Sequence, residues 1–547
     1  GEPEPDPDPL AHLALDATDV LLLVGLLALA LVVNNLLQKQ LVPVPEAIST
    51  IAVGVAAGAL ALLCPGVNRE TFRKLEDRSA PEFLLAFTAP IIFAEGYGMK
   101  SRQFFHHTAR ILAHAFLGTL VSALVVAAVL FYLPPLTGFA PAVGLSPAEC
   151  LAFGAMISST DPVTTLAAFK EQRLVERGLG HLYYSVLGES ILNDAVAMTL
   201  FFQFGELVRE DQEVTAGSAC RTFGSFCAAF SGSTAIGVAG GAAAALVLKT
   251  ARLGAGGSQE EHFSFNVPEL GVVLVLAYIP LLVAEALKLN GAVAIMFAGI
   301  TMRHYAHYNL TEVTRTVLLP AVELLASLCQ TYVFALLGLG VFLMRSGYSA
   351  SLILWAAAAC LLGRAAHVYP LSWAVNRCSS ARRLSRREQH LVWFSGLRGA
   401  VAFMCALGFP ENARAQHREA LLCTTVILVG GSNVLLGWPT AAVMRFLDVL
   451  GEERAPEEWD APAAAAAPDR GTSWRLLLLG STPASRLGDY VRKLLMTSEA
   501  IAQREAESLP GLPRHSSPLL SLALPRTPLG LPAEGPWAQR AAAALGA

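Results

Sequence analysis

Two acidic motifs lie inside apolar stretches of this chain: Ser159-Thr160-Asp161-Pro162, and Gly188-Glu189-Ser190-Ile191-Leu192-Asn193-Asp194. A carboxylate at the centre of a bilayer costs about 2.5–3.5 kcal/mol on insertion scales, so by default such a residue marks an ion or proton pathway. Pro162 has no amide proton and leaves the Ser158 carbonyl without its helical donor, while Ser159 and Thr160 place hydroxyls beside Asp161. This pattern predicts a helix interrupted in mid-membrane, whose freed carbonyls and helix ends can coordinate a cation. A plain proline kink with a satisfied aspartate is the simpler alternative. On a helix through the second motif, Ser190 and Asp194 share one face, and Glu189 and Asn193 share the neighbouring one. One face can offer a carboxylate to a cation or proton while the other anchors the helix. Glu189 then needs a cationic partner, and Arg364 and Arg398 are the arginines set deep enough in apolar runs to serve.

A third motif, Ser395-Gly396-Leu397-Arg398-Gly399-Ala400, sets two glycines around an arginine. Glycine weakens a helix and exposes backbone, which makes this a second candidate break. Arg398 would offset carboxylates and dipole ends where the two breaks meet, or else snorkel from a helix end.

The elements that must position these residues are membrane helices. With 54% hydrophobic residues against 15% charged, the chain is too apolar for a soluble protein of its length. The net charge of −4 gives no electrostatic case for a nucleic-acid partner. Cys150, Cys227, Cys329, Cys360, Cys405 and Cys423 lie in apolar segments without the spacing of a zinc site or disulfide framework. Thirteen apolar runs approach the length that crosses a bilayer core of about 30 Å. They fall near 18–38, 43–63, 80–97, 104–133, 148–170, 180–208, 222–250, 267–288, 290–306, 316–344, 349–376, 388–408 and 418–447. If runs one to six and eight to thirteen are inverted halves, the fifth and twelfth occupy equivalent positions, and their breaks cross at the midplane.

Arg377, Arg382, Arg383, Arg386 and Arg387 form the strongest basic loop, which the positive-inside rule places in the cytosol. Parity puts Lys170 to Arg177, Lys249 to Arg252, Lys100 to Arg110 and the C-terminal tail on the same side. Arg69, Arg73, Lys74 and Arg78 run against the rule. The chain thus divides into a non-cytosolic, Pro-rich N-terminus (1–17), a transmembrane domain (18–447) and a cytosolic, mostly disordered regulatory tail (448–547). The first residue is Gly and the first nine are acidic and Pro-rich, as after removal of a signal peptide or shortening of the chain. In the tail, Trp474 to Leu479 and Tyr490 to Met496 mix apolar and basic residues. Such stretches suit a membrane surface or a partner helix, with an incidental helical turn as the alternative.

Five stretches resemble the eukaryotic sodium/proton exchangers of the NHE family: Ser159 to Phe169 (STDPVTTLAAF), Leu187 to Ala197 (LGESILNDAVA), Ala284 to Ile300 (AEALKLNGAVAIMFAGI), Gly363 to Leu371 (GRAAHVYPL) and Phe394 to Phe403 (FSGLRGAVAF). They occur in family order within residues 20–450. His304-Tyr305 followed by Asn309-Leu310-Thr311, together with the run from Gly363, resembles the intracellular endosomal and Golgi branch, and Leu487 to Thr497 is a weaker likeness.

The resemblance implies an all-α fold of 13 transmembrane helices with NhaA-like inverted repeats, a homodimer in membrane lipid, and elevator-type alternating access. It implies that Asp194 is the carboxylate taking Na+ or K+ or a proton, that Asn193 and Ser190 flank it, and that Asp161 with Thr160 completes the polar site. It matches Glu189 to a structural glutamate paired with Arg364, and leaves Pro162, Gly396, Arg398 and Gly399 as support for the helix breaks. Asn193-Asp194 in place of two adjacent aspartates is the pattern of one-for-one, electroneutral exchange. It also implies an endosomal or Golgi-type membrane, with the plasma membrane as alternative, and leaves room for a regulatory protein on the tail.

The chain departs from the family pattern at Gln330, where a glutamate is usual, and at Ala89 and Glu95 in the third run. Asn309-Leu310-Thr311 is a glycosylation sequon placed on the cytosolic side by parity. Glu285 and Lys288 read as an interfacial pair, and His106, His107 and His114 as interfacial histidines or pH sensors. No HExxH, Walker A or GxSxG sequence points to an enzyme, and no cofactor is expected. An intramembrane aspartyl protease would also need two buried aspartates, but neither lies in a Gly-x-Gly-Asp setting. A non-transporting protein of the same fold would have no need of intact Asp161, Asn193 and Asp194.

Overall fold

The computed structural model describes residues 17–39, 44–63, 81–99, 101–139, 141, 144–212, 214–251, 267–343, 347–378, 383–410, 412–450, 491–497 and 501. The regular elements among them are all helical. In chain order these are α1 (Ala17–Lys39), α2 (Glu46–Leu63) and α3 (Pro81–Gly98), then α4 (Ser101–Leu112), which continues through a π turn (Ala113–Gly118) into α5 (Thr119–Thr137). Next come α6 (Pro147–Ser158), α7 (Val163–Glu171), α8 (Gly180–Arg209), α9 (Ala216–Ala251), α10 (Val267–Ala286) and α11 (Gly291–Thr301). The series closes with α12 (Glu312–Leu343), α13 (Ala350–Cys378), α14 (Arg386–Phe394), α15 (Ala400–Leu407), α16 (Ala415–Ser432) and α17 (Thr440–Phe446).

Seven helices among the described residues are long and apolar enough to cross a membrane. The helix of the second acidic motif differs from the others in its surroundings. The apolar stretch of α8 is 83% buried in protein, against 33% for α9, and Glu189, Ser190, Asn193 and Asp194 are all buried. Small residues let neighbouring backbones approach, as expected where van der Waals contact drives helix association. On α12, a Cβ added to Gly338 would lie 2.9 Å from the Cα of Gly54 on α2, which confines that contact to glycine.

The fifth and twelfth apolar runs each form two short helices rather than one long one. α6 stops at Ser158 and α7 starts at Val163; α14 stops at Phe394 and α15 starts at Ala400. Both leading helices open on a capping box, Ser146 with Glu149 on α6 and Ser385 with Glu388 on α14, which satisfies first-turn amides and fixes the starting point.

One expectation is corrected, and others gain detail. Glu285 does not pair with Lys288: its Oε1 accepts the Gly291 amide at 2.9 Å and helps open α11. His107 and His114 are buried. Asn309 of the sequon donates to the carbonyls of Ala245 at 3.1 Å and Leu495 at 2.8 Å, so its side chain is engaged. Within the tail, residues 491–497 meet α9: Lys249 Nζ donates to the carbonyls of Lys493 and Leu494, and Leu495 and Met496 are buried. The N-terminal stretch, the 69–78 basic loop and Trp474 to Leu479 lie outside the described residues.

Candidate ion site

α8 passes the end of α6, and side chains from α8 take up the backbone freed by the interruption. Asn193 Nδ2 donates to the Ser158 carbonyl at 3.2 Å and to Thr160 Oγ1 at 2.8 Å. The carbonyl deprived of its helical donor by Pro162 therefore gains one from a side chain. Ser190 Oγ donates to the Thr160 carbonyl at 2.7 Å. Ser159 Oγ donates to Asp194 Oδ1 at 2.7 Å. From the π-turn region, Thr119 Oγ1 donates to Asn193 Oδ1 at 2.6 Å and fixes the amide's orientation.

Asp161 sits where the two interruptions meet. Its amide donates to the Leu397 carbonyl at 3.1 Å, joining the first break to the second through backbone. Its Oδ1 accepts the Val163 amide at 3.0 Å and so caps α7, while Gln330 Nε2 approaches Oδ2 at 3.4 Å. A Cβ on Gly399, the residue before α15, would collide with the Asp161 side chain, so only glycine fits. The carboxylate thus lies at the N-terminal ends of two short helices, where the positive end of each dipole favours an anion.

Among the described residues, Arg398 forms no ion pair with a carboxylate. Its Nη1 donates to the Ser159 carbonyl at 3.2 Å, and its own backbone is held by Ser432 and Asn433. The guanidinium offsets the negative carbonyl end of α6. Arg364 forms a buried ion pair with Glu189 and also donates to the Val392 carbonyl at 3.0 Å, so it ties α8 and α14 to α13. A Cβ on Gly396 would lie 3.0 Å from the Arg364 side chain. His114, Glu189 and His367 offer ligand atoms within 4.8 Å of one another. Arg364 already supplies the positive charge there, so a metal ion would meet a resident cation.

The structure brings Asp161, Thr160, Ser190, Asn193 and Asp194 together around the first interruption, and sets Glu189 apart on Arg364. It adds three groups that sequence reasoning had not assigned. Ser159, whose hydroxyl the motif placed beside Asp161, bonds to Asp194 on the neighbouring helix, and Thr119, which no local pattern announced, orients Asn193. Glu95 of α3 lies close enough to Asp194 and Asp161 for their charges to interact, and its Oε2 is buried without a hydrogen-bond partner among the described residues. A carboxylate within the apolar run around Pro90 was the available signal for Glu95. Among the described residues, no ion pair joins Asp194 to a lysine or arginine.

Buried carboxylates held by hydroxyls and helix ends, inside a bundle of membrane-length helices, define a membrane ion-transport protein. The family model for the transmembrane region of sodium/hydrogen exchangers matches residues 25–441, and the chain belongs to that family. It is 32% identical over 434 residues to sodium/hydrogen exchanger 8 of Rattus norvegicus, covering 78% of this chain and 72% of the relative. It is also 32% identical over 399 residues to sodium/hydrogen exchanger 9 of the same organism, covering 69% of this chain and 58% of that protein. The fold is similar to that of the sodium proton antiporter MjNhaP1 from Methanocaldococcus jannaschii, with a TM-score of 0.55 at 16% identity over 79% of this chain and 100% of that one.

Proposed function

We propose that the protein exchanges a monovalent cation, Na+ or K+, for a proton, one for one, by elevator-type alternating access. The observation that carries this reading is the setting of Asp194: a buried carboxylate with a hydroxyl donor from Ser159 and, among the described residues, no lysine or arginine in an ion pair with it. A charge so placed needs a mobile counter-ion. Either a metal cation or a proton can fill that role, but not both, and this exclusion couples the two fluxes. Filling the site with either also removes the cost of carrying a bare carboxylate through the barrier.

Asn193 is neutral and spends its amide on Ser158 and Thr160, Asp161 is occupied in capping α7, and Glu189 is bound to Arg364. Among Asp161, Glu189 and Asp194, that leaves Asp194 as the carboxylate that loads, with Glu95 of α3 lining the site beside it, which supports electroneutral exchange. The roles of Ser190 and Thr160 are to hold the interrupted backbone around it, and those of Pro162, Gly396, Arg398 and Gly399 are to shape the two breaks. In this reading the helices assemble as thirteen spans, with α6–α7 as the fifth and α14–α15 as the twelfth, arranged as inverted repeats in a homodimer. The likeness of the motifs to the intracellular branch supports an endosomal or Golgi-type membrane, with residues 448–547 in the cytosol.

Purified protein in proteoliposomes tests this. An outward Na+ or K+ gradient is expected to drive a luminal pH change, whose rate is unaltered when the membrane potential is clamped. A rate that follows the imposed potential would exclude one-for-one exchange, and comparing the two salts assigns the cation.

A further inference from the structure

The two interrupted helices are each fastened at their outer end by the same device. At the start of α6, Glu149 closes the capping box by accepting the Ser146 amide at 2.7 Å, and its carboxylate also meets His417 Nδ1 at 2.9 and 3.0 Å. At the start of α14, Glu388 closes its box on the Ser385 amide at 2.6 Å and meets His181 Nε2 at 3.1 Å. All four side chains of these pairs are buried.

The pairs are related by an exchange of partners. α6, its break and α7 are followed in the chain by α8, whose second residue is His181. α14, its break and α15 are followed by α16, whose third residue is His417. Each histidine holds the glutamate of the other set, so that α6 is bound to α16 and α14 to α8. By parity of the spans, Glu149–His417 lies toward the non-cytosolic face and Glu388–His181 toward the cytosolic one.

We propose that Glu149–His417 and Glu388–His181 are paired positioning clamps, one toward each face, which set the tilt of the two leading half-helices and so the geometry of the ion site between them. The inference rests on the reading of Asp194 as the loading carboxylate. The lever arm is short and stiff. Glu149 stands nine residues before Ser158, about 14 Å along α6, and Glu388 stands six before Phe394, about 9 Å along α14. A swing at either clamp therefore moves the Ser158 carbonyl or the 395–399 backbone, both of which contact the site. Neither histidine touches the site itself; they act through the helices.

Glutamine also closes a capping box, so Glu149→Gln and Glu388→Gln keep the helix start and remove the charged partner alone. His417→Leu and His181→Leu remove the other half. In proteoliposomes each single variant is expected to raise the half-saturating cation concentration roughly tenfold, the scale of outer-shell changes at ion-binding carboxylates, with maximal rate retained. Glu149→Gln/His417→Leu is expected to be no worse than its more damaging single variant, since the two residues act as a unit. Unchanged half-saturation in folded Glu→Gln variants, or effects that add, would overturn the clamps while leaving the transport reading intact. A wild-type protein without saturable, cation-driven proton flux would instead overturn the transport reading, and the clamps with it.

Discussion

Ser159 Oγ donates to Asp194 Oδ1 at 2.7 Å, so the helix interruption created by Pro162 reaches the carboxylate on α8 directly. Ser159 is also the residue whose carbonyl receives Arg398. One residue thus links the proposed loading group to both breaks.

Ser159→Ala removes that donor and leaves the backbone contacts in place. A hydrogen bond to a charged group contributes about 1.5–3 kcal/mol, so the half-saturating cation concentration is expected to change by roughly tenfold or more, with thermal unfolding in detergent little altered. An unchanged value would remove Ser159 from the site.

Gly399→Ala introduces a Cβ into the Asp161 side chain. Interiors packed to crystal density yield poorly to such an insertion, at a cost of about 1–3 kcal/mol. Transport is expected to fall at least roughly tenfold, as for a small misplacement of reacting groups. Wild-type flux from this variant would show that the two interruptions need not touch.

Glu189→Gln or Arg364→Met leaves one charge buried without its partner, which costs about 3–5 kcal/mol in protein interiors. Each single variant is expected to lower the unfolding temperature in detergent, and the double variant to recover much of the loss. Additive losses would mean that the two residues are not acting as a pair.

Glu95→Gln replaces a titratable carboxyl group beside Asp194 and Asp161 with a neutral amide. Half-saturation for the cation is expected to rise several-fold while maximal rate is retained. A complete loss of flux would instead make Glu95 a second essential carboxylate and would contradict a single loading group.

The parts of this arrangement that depend on local chemistry were readable from the chain. Pro162 has no amide proton and Gly396 and Gly399 bracket an arginine, so both candidate breaks are visible in short motifs. Contacts that depend on tertiary register were not. Arg398 reaches Ser159 from 239 residues away, and periodicity along either helix says nothing about which carbonyl it meets. Spacing alone offered two arginines to Glu189, and the family resemblance chose Arg364; in the packed structure Glu189 meets Arg364, while Arg398 is turned toward the end of α6. Asn193 illustrates a subtler gap. It shares a helix face with Glu189, yet one turn along the axis it bonds to Ser158, Thr160 and Thr119 rather than anchoring a neighbour by charge. The capping boxes at Ser146 and Ser385 are explicit Ser-x-x-Glu sequences, but the histidines that meet their glutamates stand 268 and 207 residues away in the chain.

The most direct measurement is proton flux from proteoliposomes carrying Asp194→Asn. The substitution keeps the shape of the side chain and its contact with Ser159 while removing the only group proposed to load both ions. Abolished cation-driven flux, with unfolding temperature and oligomeric state at wild-type values, is the expected result. Flux at the wild-type rate would contradict the assignment of Asp194 as the shared cation and proton site.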